Sequence, residues 1–453
     1  MKHLPSVVHR AAATVRSKAP KIHIDPKKVR AAMNVWSVTA LGIGSMVGAG
    51  IFALLGQATI AAGRDVFFSF LAGGIIALLA GYSFAKLSAR FPGPGGLIDF
   101  LAEAFPEGLF AGTMSLVYYV TLIVTVAVVG KSFGAYAAQL IFGDSAGSQM
   151  ASGLAVVMVL AIAYLNLVGS GAVGRAEILL VVIKLGILVL LIAASLPSFN
   201  SEFIAEGPDV GWSQLMSSVG LTFFAYAGFG MMANASSSVD NPEKVMPRAI
   251  FLAITVVIVL YLALALVVLG NLTEPQIRHY ADTVVAAAAV PVLGQIGYTV
   301  VAIGGLLATI SATNATMFSI QNLNLDLAEK GKLPKRFAKP LLHIPFGFLL
   351  SVLASIALIL SFELTSIAAL AGITFLLAYL SVFAAHWRLR KAAGGWRIVI
   401  ILGSLTMAAV MVGSAIHLGY QQPKALALIA AMLASCFATQ WWIARNAPGP
   451  KSA

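Results

Sequence analysis

Apolar residues run through this chain in stretches of about twenty or more, separated by short charged or Pro- and Gly-bearing segments. Reading the stretches between that punctuation predicts helices over 35–61, 66–89, 98–141, 151–169, 173–196 and 212–238. Six more follow over 248–270, 285–328, 345–362, 365–387, 396–417 and 424–445. Each is long enough to cross a bilayer, where only a helix or a closed barrel pairs every backbone polar group. The expected fold is all-α and membrane-embedded, with twelve transmembrane helices. The two longest stretches, 98–141 and 285–328, must include tilted or extra-membrane turns. Pro247, followed by Arg248, suits the first turn of a helix, where a missing N–H costs nothing.

Composition strengthens this reading. The chain is 59% hydrophobic and 10% charged, with a mean hydropathy of +0.92, which excludes a water-soluble domain. A single cysteine, Cys436, allows no intrachain disulfide. The net charge of +12 raises nucleic acid as a partner, but the basic residues are distributed by topology. With the N-terminus inside, cytoplasmic segments carry 24 of the 29 Lys and Arg, and outer loops carry only Arg64, Arg278 and Lys424. Both termini are thus expected in the cytoplasm of a multi-pass inner-membrane protein, with lipid as a partner and no nucleic acid. The loop 197–211, with Glu202, Glu206 and Asp209, then faces outward, and Lys330, Lys332, Lys335, Arg336 and Lys339 face inward.

No low-complexity linker divides the chain, so it reads as one membrane domain with short ends. Residues 1–33 form a basic cytoplasmic arm, with eight Lys and Arg against one acid, Asp25, and no signal-peptide pattern. The core is expected over 34–388, in halves 34–200 and 212–388, followed by two additional helices over 396–445 and a tail at 446–453. The halves are suggested by weak symmetry, because the first and sixth spans are both interrupted by small residues. That pattern predicts five helices, five inverted helices, and two more.

The first span holds Gly42, Gly44, Ser45, Gly48, Ala49 and Gly50, and each glycine lowers helix propensity by roughly 1 kcal/mol. A mid-span break is expected there. It would expose amides at the start of a half-helix, whose positive end suits a carboxylate. Alone, Gly44 and Gly48 read rather as a GxxxG packing contact on an unbroken helix. The sixth span tips the balance, since residues 223–230 read Phe-Phe-Ala-Tyr-Ala-Gly-Phe-Gly. Carbonyls freed there would accept from an ammonium group, so the two breaks together suit a zwitterion. Phe229 is either a gate over the ligand or a packed core ring.

Lys184, midway along the fifth span, is a cation in hydrocarbon and marks function by default. Glu177, seven residues away on the same helix, is about 10.5 Å distant and too far to pair. Burial without a counter-charge favours the neutral amine, which makes Lys184 the candidate for proton coupling. The alternative is a permanently charged lysine bonded to carbonyls of a broken helix. Lys131, deep in the third span, reads as a snorkelling structural residue. On the eighth span, Ser311 and Asn314 share a face and are placed to meet the broken first helix.

These residues resemble the amino acid, polyamine and organocation (APC) superfamily, with its LeuT-type inverted-repeat fold. The resemblance spans nearly the whole chain. It rests on Gly44-Ser-Met-Val-Gly-Ala-Gly-Ile-Phe52, Gly174-Arg-Ala-Glu177 with Lys184, Phe223-Phe-Ala-Tyr-Ala-Gly-Phe229, Asn241-Pro242 with Pro247-Arg248, and Leu333-Pro334-Lys-Arg-Phe337. The pattern is most similar to the sodium-independent, proton-coupled archaeal members, also at Lys131-Ser-Phe-Gly-Ala-Tyr136. The resemblance implies a proton-driven amino acid transporter in which the Lys184 ammonium replaces a sodium ion and meets the Gly44 carbonyl and the Ser311 hydroxyl. It also implies that amides of Gly48, Ala49 and Gly50 hold the substrate carboxylate, that carbonyls of Phe224, Ala225 and Ala227 hold its ammonium, and that Phe229 gates. Gly230 stands where relatives often carry an acid, and Ala49 where a hydroxyl often sits, so a neutral substrate is implied.

The main rival is an amino acid exchanger in which Lys184 stays charged throughout. An intramembrane enzyme lacks support from any His or Cys cluster, HExxH or buried acid pair, and a nucleotide-driven pump from any GxxxxGK[ST]. Charged rings or filter loops of a channel are missing too. No cofactor and no metal are expected.

Overall fold

The apolar stretches fold as helices whose ends fall where the sequence offers caps and glycines. The computed structural model describes residues 33–106, 108–168, 173–198, 200, 210–341 and 344–446. The basic arm up to residue 32, the tail from 447, most of the acidic loop 197–211, His343 and the side chains of Ala49 and Glu177 lie outside the described residues.

The first half of the chain forms α1 (Val35–Ala49), α2 (Ile51–Ala62), α3 (Val66–Arg90), the short α4 (Leu97–Ala104), α5 (Leu109–Phe142), α6 (Ser148–Val168) and α7 (Val173–Ser195). Then come α8 (Trp212–Tyr226), a 3-10 run over Ala227–Ser238, α9 (Pro242–Asn271), and the short α10 (Glu274–His279) and α11 (Val284–Ala287). The last are α12 (Val290–Glu329), α13 (Phe346–Ser361), α14 (Leu364–Ala393), α15 (Arg397–Gln421) and α16 (Pro423–Asn446). A two-residue hairpin, Pro340–Leu341 against Ile344–Pro345, precedes α13. Among the described residues, ten helical stretches are long and apolar enough to cross a membrane, and two shorter apolar helices, Val35–Gly48 and Phe346–Ser361, accompany them.

Local chemistry sets the boundaries. Asn34 opens α1 by accepting the Ser37 N–H at 2.9 Å. Gly143 ends α5 at φ 56°, a left-handed turn that its missing Cβ permits, and its N–H bonds the Gln139 carbonyl. The 98–141 stretch is thereby resolved into α4 and α5, and 285–328 into α11 and α12, the latter bent at Gly294. One expected boundary is corrected. Pro242 at the N-terminus opens α9, leaving Pro247 inside the helix rather than in its first turn. Asn241, at φ −137° and ψ 75°, stands outside the helical region before Pro242, where the ring disfavours helical backbone.

Burial separates a centre from a periphery. The most apolar window of α5 is 89% buried and that of α14 is 78% buried, against 28% for α15 and 17% for α16. α15 and α16 therefore turn large apolar side chains outward, among them Leu405, Trp441 and Trp442. α3 packs along α9, and α5 along α12. A buried aromatic cluster of Phe84, Phe223, Phe229, Phe375 and Tyr379 joins α3, α8, the 3-10 run and α14.

Candidate functional site

Both expected interruptions are present, and they touch. α1 stops at Ala49, and Gly50 leaves the helical region at φ −95°, ψ −81° before α2 resumes at Ile51. α8 stops at Tyr226 and continues as twelve residues of 3-10 helix, far beyond the three or four that this winding usually sustains. Backbones meet here because glycines remove the side chains between them. A Cβ on Gly50 would lie 2.5 Å from the Ala225 carbonyl oxygen, and one on Gly228 would lie 2.7 Å from the Met46 nitrogen. The Ser45 hydroxyl spans the gap, donating to the Gly228 carbonyl at 2.8 Å.

The break in the first span is one residue wide, which corrects the expected open row of amides. Gly48 and Ala49 lie inside α1, and the Gly50 N–H donates to the Met46 carbonyl at 3.0 Å. The carbonyls expected to be free are also partnered. Phe224 accepts the Ala227 N–H, Ala225 accepts the Tyr261 hydroxyl at 3.3 Å, and Ala227 accepts the Tyr379 hydroxyl. Buried backbone groups have to be paired, and two tyrosines supply the pairing. Tyr261 of α9 does most of it: its hydroxyl also reaches the Met46 carbonyl at 2.8 Å and takes a bond from the Ile51 amide. One oxygen thus sits between the start of α2 and the end of α8. Neither tyrosine was singled out from sequence. The signal available was a hydroxyl in the middle of an apolar span, which must find a partner when buried.

Lys184 is fully buried, and its ammonium donates to the Gly44 carbonyl at 2.7 Å, one turn before the break. A Cβ on Gly48 would stand 3.5 Å from that Nζ and 2.7 Å from both the Ala308 carbonyl oxygen and the Ala312 Cβ of α12. Gly48 is therefore where α1, α7 and α12 converge. Ser311 is buried on the same turns of α12, whereas Asn314 is turned to α6 and accepts from Asn166 Nδ2 at 2.9 Å. The expectation that Asn314 meets the first span is corrected by that bond. Lys131 stays apart from this cluster and donates to the Ser152 hydroxyl of α6 at 3.3 Å.

Phe229 is fully buried, with ring centres 5.3 Å from both Phe84 and Tyr379 in edge-on contact. Phe224 stacks on Phe375 at 5.5 Å. A Cβ on Gly230 would lie 2.0 Å from the Tyr379 hydroxyl, so no acid fits there while Tyr379 holds Ala227.

The family described as Amino acid permease matches residues 33–441. The chain is 40% identical over 395 residues to the inner membrane transport protein YbaT of Escherichia coli, covering 87% of this chain and 92% of that one. An uncharacterized protein of Methanocaldococcus jannaschii is 31% identical over 382 residues, with 83% of this chain and 87% of its own covered. The serine/threonine exchanger SteT of Bacillus subtilis is 25% identical over 386 residues, covering 83% and 86%.

Proposed function

The chain belongs to the amino acid permease family, and from that premise we propose that it is a secondary transporter carrying neutral amino acids together with protons by alternating access. Twelve spans, both ends in the cytoplasm and two inverted repeats of five helices followed by α15 and α16 complete the reading. It is supported by the family match, by interruptions at matching places in the first and sixth spans, and by the bias of basic residues to one side.

The substrate zwitterion takes over carbonyls that Tyr261 and Tyr379 hold in the structure, and the Phe224 carbonyl from the Ala227 N–H. Its carboxylate binds at the Gly50 break that follows Gly48 and Ala49 in α1, beside the Ile51 amide. Its ammonium binds the carbonyls of Phe224, Ala225 and Ala227, and Phe229 swings as the gate. Such an exchange costs little, because each bond lost to a hydroxyl is replaced by a charge-assisted one. The close contact of Gly230 with Tyr379 leaves no carboxylate to pair with a cationic side chain, which favours neutral substrates.

The observation that carries the coupling is the buried Lys184 ammonium on the Gly44 carbonyl, beside Gly48. Charged, Lys184 clamps α1 to α7, and Ser311 lies on the adjoining turns of α12. Losing its proton removes the charge-assisted bond and frees the first span to move. Uptake of radiolabelled neutral amino acids into proteoliposomes tests this. An inward proton gradient is expected to accelerate uptake, and Lys184→Ala to lower the gradient-driven part at least about tenfold, or about 1.4 kcal/mol. Uptake indifferent to the gradient but accelerated by internal substrate would make the protein an exchanger with a permanently charged lysine.

A further inference from the structure

The turn Ala281–Thr283, between α10 and α11, carries a carboxylate that the site above does not use. It is laid directly on α2, since a Cβ on Gly56 would stand 1.9 Å from the Ala281 carbonyl oxygen. The next residue of α2, the buried Gln57, donates from Nε2 to Asp282 Oδ1 at 2.6 Å. At its amide oxygen Gln57 accepts the Thr365 hydroxyl of α14 at 2.6 Å. Three side chains thus tie α2 to a loop and to α14.

Several titratable groups face this turn. Lys131 and Tyr136 of α5 and Glu363, the residue before α14, act on Asp282 through space. Tyr298 of α12 lies beside Thr283, Tyr280 precedes the turn, and α11 carries no titratable side chain. The Lys131 ammonium is committed to Ser152, so it offsets the carboxylate only from a distance. Burial, with the like charge of Glu363 added, pushes the Asp282 carboxyl above its ordinary range, and this outweighs the Gln57 bond and Lys131, which lower it.

We propose that Asp282 is a proton-binding latch on the outer face: with a proton bound, its turn seats on α2 and closes that side, and without the proton the turn lifts and opens it. The proposal rests on the proton-coupled reading and on its topology, in which residues 272–289 face outward. The sign follows from linkage. The closed arrangement holds the proton more tightly than an exposed carboxylate with a pKa of ~3.9 does, so lowering the pH favours closure. Between the two pKa values the open-to-closed ratio rises by up to about tenfold per pH unit. An acidic exterior then closes the carrier over a substrate that entered from outside, as proton symport requires.

The full chain in proteoliposomes tests this after Cys436→Ser, with a reporter cysteine at Ala62, which is fully buried at the end of α2. Labelling by a membrane-impermeant maleimide, normalised to an exposed Gln149→Cys reporter, is expected to rise as external pH increases from 5 to 8. Asp282→Asn should keep labelling low throughout, and Gln57→Leu should keep it high throughout. A flat response with Asp282 present, or an unchanged slope in either variant, overturns the latch. A slope without gradient-driven uptake in the parent protein would defeat proton coupling and leave the latch standing.

Discussion

At the residue scale, the site is built from glycines whose missing side chains are occupied by neighbours. Gly48 has the Ala308 carbonyl and Ala312 where a Cβ would go, and Gly230 has the Tyr379 hydroxyl. Gly48→Leu is expected to drive α12 away from α1, displace Lys184 and abolish substrate binding, measured by scintillation proximity on purified protein. Full affinity in that variant would reduce Gly48 to a simple packing contact. Gly230→Asp should break the Tyr379 bond to Ala227 and lower affinity for neutral amino acids at least about tenfold. Unchanged affinity would mean that Tyr379 does not shape the site. The glycines were legible in the sequence because their density is a local property. What fills the space beside them was not, because Met46, Ala225 and Ala308 belong to three different spans.

At the element scale, two interrupted helices are held against each other by a tyrosine from a third. The expected breaks near Gly50 and Ala227 are present, yet their geometry differs from the simple picture of unwound, open backbone. In an apolar interior an unpaired amide or carbonyl costs several kcal/mol, so the Tyr261 and Tyr379 hydroxyls cover carbonyls at the two breaks. Tyr261→Phe removes the one hydroxyl proton that the Met46 and Ala225 carbonyls share, worth about 0.5–1.5 kcal/mol, and should lower the melting temperature of the carrier. Because substrate replaces that bond, adding amino acid should raise the melting temperature more in the variant than in the parent. An equal or smaller rise would show that Tyr261 contacts the ligand instead of standing in for it.

At the scale of the whole molecule, two polar ties join distant segments, and they differ in their response to protons. Lys330 bonds Asp326 of α12 at 2.9 Å and Asp99 of α4 at 3.2 Å. Partial burial pulls its ammonium down, but the two carboxylates outweigh this and hold it above the ordinary lysine value, so Lys330 stays charged between pH 5 and 8. It is partly exposed and screened, so Lys330→Met is expected to change stability by no more than about 1 kcal/mol, as read by thermal unfolding. The Asp282 tie has its carboxyl raised instead, and is the one that external pH can work. By itself the sequence determined the membrane location, the apolar stretches, the two weak points in the first and sixth spans and the presence of Lys184 in hydrocarbon. Each of these is a sum over neighbouring residues, set by transfer free energy and backbone propensity. Only the tertiary structure decided that Tyr261 covers Met46 from 215 positions away, and that Thr365 and Asp282 meet Gln57 across 308 and 225 positions. A buried hydroxyl or amide must find some partner, but which one depends on how the helices cross, and no local pattern encodes that crossing.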